Sequence, residues 1–241
     1  MADRRIDATD LERFTTQVFA GLGMPAEDAA IEAQVLVWAN LRGVDSHGVT
    51  RLESYQRAID SGAMNVRPEI RVISERAGAI FIEGDHAMGP VVTSFAVDRV
   101  AEKARAAGVG WGLIRNTTHQ GAMGYYVEKL ALQGLAGIAV VCDPPNMAPP
   151  GAKAAGTHNS PIALAVPSKD RGAVIFDMAT SIVAFGRLMV AADQGVPLGD
   201  DWALDADGKP TTDPALARFL RPAGGYTGDG LAFMLECFTS L

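Results

Sequence analysis

Near residue 70 the hydrophobic period of this 241-residue chain changes. Upstream, apolar residues recur at the spacing of one helix face; downstream, short apolar runs alternate with further helical stretches. Such a chain folds as a helical unit followed by an α/β unit built on a sheet. In the first unit, Thr9 and Glu12 form a capping box ahead of Leu11, Phe14, Val18 and Phe19. Pro25 suits the first turn of a second helix, which carries Ile31, Val35 and Trp38 inward until Gly43. A third helix starts just after Gly48, carries Leu52, Tyr55 and Ile59, and stops at Ser61-Gly62. Joined by tight turns, the three predict a small bundle.

In the second unit, residues 79–82, 109–114, 135–141, 162–166 and 173–176 have strand length and composition. Helices are predicted over 91–107 and 121–133, with Gly108 and Gly134 just past their ends, where left-handed backbone is wanted. Pro144, Pro145, Pro149, Pro150, Gly151 and Gly156 make 143–160 a long irregular loop. Loops of this length in compact domains are usually functional or disordered, and its place between two buried strands favours function.

Composition removes several classes. With 48% apolar and 20% charged residues the chain is of ordinary globular type, neither disordered nor fibrous. A net charge of −7 repels phosphate backbones and anionic membranes, so no nucleic-acid or membrane partner is expected. Cys142 and Cys237 form no CxxC pair and read as buried small hydrophobes in a reducing compartment. The N-terminus carries charges of both signs and no apolar run, and residues 135–142, the longest apolar stretch, cannot span a bilayer. A cytoplasmic protein is expected.

Nucleotide signatures are missing. Gly108, Gly110 and Gly112 have the wrong spacing for GxGxxG, and the segment from Gly151 to Gly156 is not followed by Lys, which excludes standard Rossmann and P-loop motifs. There is no HExxH and the histidines are scattered, so no metal is expected. Three polar clusters remain. Around Asp45-Ser46-His47-Gly48, a turn leads into a helix start, and His47 and Arg51 are four apart, able to share a helical face. An imidazole titrating near neutrality beside a fork-shaped cation suits a small carboxylic acid: Arg51 holds the carboxylate while His47 moves a proton at the neighbouring carbon. The alternative is a capped helix with two solvated side chains. Arg115 to Gly121 follows a strand, where ligand crevices form, although an exposed His119 at a helix cap fits as well. Asp177, leaving a buried strand, either contacts a ligand or caps a helix beginning at Ile182. His86 and His158 have no comparable partners by spacing and read as structural or solvated.

These motifs, with Gly84-Asp85, Met88-Gly89-Pro90, Asn159-Ser160-Pro161, Asp177-Met178-Ala179-Thr180-Ser181 and Gly224-Gly225-Tyr226, resemble the malate/L-lactate dehydrogenase family, also called sulfolactate-dehydrogenase-like. Its members include ureidoglycolate dehydrogenase, diketogulonate reductase and piperideine-carboxylate reductase. The resemblance runs in order along essentially the whole chain. It implies a non-Rossmann α/β fold with a helical substrate and dimerisation domain over residues 1–72, a mixed-sheet cofactor-binding domain over 73–222, and a return segment over 223–241. It further implies an oxidoreductase that uses NAD or NADP to interconvert a 2-hydroxy acid and a 2-keto acid, working as a homodimer. By the same resemblance His47 is the proton donor and acceptor, Arg51 holds the carboxylate, and Ser46 and Tyr55 are neighbours in the pocket. His119 is the second active-site histidine, and Asp143, Asp177, Met178 and Ala179 contact the cofactor.

Two departures from the family pattern stand out. Thr227 replaces a cofactor-contacting Lys, and the chain stops at Leu241, inside an expected helix, whereas relatives continue. The alternative is therefore a paralogue that keeps the fold and dimerises or binds small acids without catalysis. A Ser46-His47 hydrolase is discounted, because adjacent residues rarely form a nucleophile and base and no GxSxG elbow is present.

Overall fold

In the computed structural model, residues 5–239 are described. The first residues of the N-terminus, on which the absence of a leader was read, and Leu241 lie outside them. Helices α1 (Ala8–Gly21) and α2 (Ala26–Leu41) pack against each other as predicted. The cap of α1 differs: Asp7, not Thr9, accepts the backbone N–H groups of Thr9 and Asp10, at 2.9 and 3.4 Å. A carboxylate at this end also answers the positive pole of the helix, which a hydroxyl does not.

The expected bundle is not a separate unit. Val35 is buried on α2 while Ile31 and Trp38 are half-buried, and Leu36 and Val37 are buried as well. This helix serves two cores. Leu36 packs with Phe19, Met24, Tyr55 and Met88, whereas Val35 joins Tyr126, Val127, Leu130 and Ala163 of the α/β part. Its polar end is tied to the same part, because Glu128 accepts from the Trp38 indole N–H and from Arg42, at 2.5 and 2.7 Å. Helix α3 (Leu52–Asp60) ends at Ser61-Gly62 as predicted.

The strands form three three-stranded sheets, in keeping with the α/β fold expected. Only the first is mixed: β1 (Arg71–Glu75) runs antiparallel to β2 (Ala79–Ala87), which runs parallel to β3 (Trp111–Thr117) across helix α4 (Gly89–Ala107). Strand β1 was not foreseen, since all five of its residues are exposed and carry no burial alternation. After α5 (Gly124–Ala131), strands β4 (Gly137–Val140), β5 (Ile162–Ser168) and β6 (Gly172–Met178) form an antiparallel meander. The proline-rich segment 143–160 reverses the chain between β4 and β5, so no crossover helix is required. Alternate small residues of this sheet, Ala163 and Ala165, pack with Val127 and Leu130 of α5.

Helix α6 (Phe185–Gln194) begins after Ala184 rather than at Ile182. A small third sheet of β7 (Ala203–Leu204), β8 (Pro210–Thr211) and β9 (Phe219–Leu220) leads to α7 (Tyr226–Thr239). Gly108 and Gly134 adopt left-handed backbone, with φ of 82° and 81°, as their positions required. Both cysteines are half-buried rather than buried. Among the described residues no helix is long and apolar enough to cross a membrane.

Candidate active site

The segment carrying Ser46, His47 and Arg51 is not one helix start. Asp45–His47 and Val49–Arg51 are separate single turns of 3-10 helix, split by extended Gly48, and α3 begins only at Leu52. Asn40 enforces the split by accepting from Val49 N–H at 2.9 Å and donating to Asp45 Oδ1 at 2.5 Å. A Cβ on residue 48 would run into the Asn40 amide and push it from these bonds, so glycine keeps the turn as it is. His47 and Arg51 consequently do not share a helical face by four-residue spacing. The turn itself joins them: Arg51 Nε donates to the Ser46 carbonyl at 2.6 Å, leaving its two terminal nitrogens for another acceptor.

His119 arrives from the other side, just beyond the end of β3, and is half-buried rather than exposed. Its position depends on a close approach, because a Cβ on Gly89, the first residue of α4, would collide with the His119 carbonyl. The imidazoles of His47 and His119 stack with centroids 5.4 Å apart and an interplanar angle of 28°. Each ring is held from behind. Ser46 Oγ lies 3.0 Å from His47 Nδ1, and Tyr55 Oη lies 2.6 Å from His119 Nδ1. Ser46 and Tyr55 therefore support the two rings and are not among the cavity-lining residues.

One further bond fixes the His119 tautomer. The Gly121 N–H donates to the same Nδ1 at 3.2 Å. An N–H can only donate, so Nδ1 is the acceptor and the ring proton resides on Nε2. Charging the ring would set two donors against each other. Burial, then the charges of Arg51 and His47, push the His119 imidazole down to about 3. Burial and Arg51 likewise push His47 down to about 4. Both rings are neutral at pH 7.

His47, Arg51 and His119 line a cavity of about 940 Å³. Asp143, Asp177, Met178 and Ala179 line it as well, which brings together every site residue named from the sequence except Ser46 and Tyr55. Asp177 does not cap α6. Its Oδ2 accepts from Gly124 N–H at 2.7 Å at the start of α5, since β6 ends beside that helix and not beside α6. Burial raises the carboxyls of Asp143 and Asp177 above the usual carboxylate range. Thr227 is exposed, donates to Ala223 and Gly224 carbonyls, and lies outside the cavity lining.

His158, Asn146 and Asn159 also line the cavity and were not expected there. Spacing gave no pointer to them; the signals were the improbability of a long proline-rich loop without a task and, for Asn159, its place in the Asn159-Ser160-Pro161 motif. Asn146 and Asn159 bond each other, and Asn159 reaches Ser181. The volume accommodates a dinucleotide together with a small acid. Its wall offers apolar Leu113, Ile138 and Val140 to flat rings, and Asn and Asp side chains to hydroxyl and amide groups. The residues present fit such a cofactor.

Comparison with known proteins finds a family and several relatives along this chain. Residues 6–241 match the family described as malate/L-lactate dehydrogenase. A malate dehydrogenase of Pyrococcus horikoshii is 37% identical over 98% of this chain and 68% of its own length. An L-sulfolactate dehydrogenase of Methanocaldococcus jannaschii is 36% identical over 95% of this chain and 67% of its own. Among solved structures, a dehydrogenase from Sinorhizobium meliloti superposes with a TM-score of 0.93 at 30% identity, covering 98% of this chain and 70% of that one. The sulfolactate dehydrogenase of Methanocaldococcus jannaschii gives 0.88 at 35% identity, covering 98% and 69%. The chain belongs to the malate/L-lactate dehydrogenase family of oxidoreductases.

Proposed function

We propose that this protein interconverts a small 2-hydroxy acid and its 2-keto acid, with NAD or NADP as the hydride partner. The observation that carries the reading is the stacked His47 and His119 pair beside Arg51 on the wall of one cavity. When bound, the nicotinamide supplies the two-electron acceptor and donor. Arg51 takes the substrate carboxylate on its two terminal nitrogens, Nε being already committed to Ser46. The two histidines then differ in role. His119, locked with its proton on Nε2, donates to the substrate oxygen and stabilises charge developing there. His47 is not locked, because the Ser46 hydroxyl can donate to or accept from Nδ1. Neutral His47 accepts the hydroxyl proton in oxidation and returns it to the carbonyl oxygen in reduction.

Asp143, Asp177, Met178 and Ala179 form the cofactor-facing part of the wall in this reading. Residues 1–72 supply His47 and Arg51, and residues 73–222 supply His119 and the cofactor side. The protein works as a homodimer, a reading supported by the exposed apolar row Val166, Val174 and Phe176 on the β5–β6 part of the sheet.

The test is fluorescence titration of the 241-residue chain with NADH and NADPH, followed by turnover with a panel of 2-keto and cyclic imino acids. Saturable binding and turnover of a panel member are expected, with Arg51→Ala acting mainly by raising KM. A folded chain that binds neither nucleotide, or an Arg51→Ala variant with unchanged KM, overturns the proposal.

A further inference from the structure

Away from the cavity, β2 and β3 meet in a corner that the proposed chemistry does not use. Up to Glu83 and Arg115 the two parallel strands advance in step. The next paired row is Ala87 with Thr117, so β2 passes through Gly84, Asp85 and His86 while β3 passes through Asn116 alone. Among the described residues, the non-glycine residues with positive φ are Asp85, His86 and Asn116, at 52°, 56° and 50°. All three lie in this corner. Left-handed backbone is disfavoured where a Cβ is present, and it persists only where the surroundings over-determine it.

Glu83 supplies that restraint. It is 8% exposed, and its carboxylate takes three donors. Oε2 accepts from Arg115 Nε at 2.7 Å, while Oε1 accepts from Asn116 Nδ2 at 2.9 Å and from the Asp85 N–H at 3.2 Å. One oxygen thus ties together a left-handed residue of each strand. The strands are also pressed close, since a Cβ on Gly84 would lie 2.7 Å from the Asn116 carbonyl oxygen. On the β2 side Asp85 has a second anchor, because its Oδ2 accepts from the Glu69 N–H and from Asn65 Nδ2, at 2.9 and 3.0 Å. On the β3 side Glu83 holds the Asn116 side chain.

The corner leads directly to the site. His119 follows Asn116 by three residues. Between them, Thr118 donates from its N–H and its Oγ1 to the Ala87 carbonyl, at 3.2 and 3.0 Å. The His119 carbonyl then packs against Gly89. Ala87 and Gly89 meet this part of the chain because β2 has gained two residues on β3 within the corner, advancing four while β3 advances two.

We propose that Glu83 is a positioning residue for His119: by holding Asn116 left-handed, it sets the direction in which β3 leaves the sheet and so the place of the imidazole. This inference rests on the hydroxy-acid reading above, in which His119 donates to the substrate oxygen.

The test compares the wild-type 241-residue chain with Glu83→Ala, Glu83→Gln and the double variant Glu83→Ala/Asn116→Gly. Each is measured for turnover of the panel acid, for NADH or NADPH binding by fluorescence, and for amide exchange by NMR. Glu83→Ala should lower kcat about tenfold or more in both directions, with KM for the acid and nucleotide binding within about twofold, because Arg51 and the cofactor wall are untouched. The double variant should recover part of kcat, since glycine keeps the left-handed turn without a tether. Glu83→Gln keeps an acceptor for Asn116, should fall between wild type and Glu83→Ala, and serves in place of Glu83→Ala if that variant does not fold. The Gly121 N–H, which donates to His119 Nδ1, should exchange about tenfold faster in Glu83→Ala while the β5–β6 ladder amides keep their wild-type rates. Wild-type kcat with wild-type Gly121 exchange, or equal acceleration of all amides, overturns the inference and leaves the hydroxy-acid reading intact. No turnover by wild type refutes that reading and the catalytic role of the placement, and Gly121 exchange then decides the placement itself: faster exchange supports it and unchanged exchange overturns it.

Discussion

Tyr55→Phe separates a residue that supports the chemistry from one that merely fills the core. Tyr55 is 3% exposed and packs with Phe19, Met24, Leu36 and Met88, contacts that a Phe ring retains. What is lost is the hydroxyl bond to His119 Nδ1 at 2.6 Å. Burial, with Glu32 nearby, holds the phenol far above its ordinary titration range, so it is a neutral hydroxyl throughout the working pH range. A net loss of about 1 kcal/mol is expected for one such bond. In a chain of this size that lowers Tm by about 2–4 °C. The catalytic consequence should be larger. His119 keeps only the longer Gly121 restraint at 3.2 Å, and loss of ring placement costs up to about 100-fold in rate. Steady-state kinetics in both directions, beside a thermal melt, measure the two effects separately. Wild-type kcat/KM together with a lowered Tm would refute the supporting role and reduce Tyr55 to a packing residue.

Three further outcomes follow from the geometry. Asp177→Ala removes the carboxylate at the start of α5 and should cost about 1 kcal/mol in denaturant unfolding, with Asp177→Asn milder; equal wild-type stability of both would refute the capping role. Gly89→Ala drives a Cβ into the His119 carbonyl, so kcat/KM should fall at least about tenfold, and an unchanged rate would show that the close approach is not binding on the site. His47 titrates at about 4 when folded against 6.5 otherwise, so the neutral base persists above about pH 4, and kcat/KM for hydroxy-acid oxidation should stay level from pH 8 to 5. An inflection near 6.5 would refute the assignment. The same depression means the unfolded chain takes up the proton first. The stability due to this group is complete above pH 6.5 and falls by about 1.4 kcal/mol per unit between 6.5 and 4. His47→Asn should lessen the acid slope in pH-dependent melts by about that amount, leaving the part due to His119 and His158.

The local elements were legible because they depend on spacing that the chain carries within a few residues. Phe19 and Val35 lie on the buried faces their period assigned, and Gly108 and Gly134 turn left-handed where helices had to end. The residue types needed for acid chemistry, His47, Arg51 and His119, were equally visible, and the cavity gathers them. Other features depended on contacts between segments far apart in the chain. Asn40 splits the predicted helix start at Gly48, a contact no periodicity encodes. The exposed strand β1 forms only because β2 offers an edge to pair with. The sequence offers Asp177 as a ligand contact or as the cap of a helix at Ile182, and the path of β6 takes its carboxylate to the start of α5 instead. His158 carried no pattern at all: α7 fixes its backbone through Glu236, nearly eighty residues away, where the residue lines the cavity. Sequence alone determined most of the helices, the buried strands and which chemical groups were available, because those follow from local spacing and residue type. Only the tertiary structure decided which groups share a cavity, which nitrogen holds each proton and which ring remains free to exchange one, because those depend on bonds between distant parts of the chain.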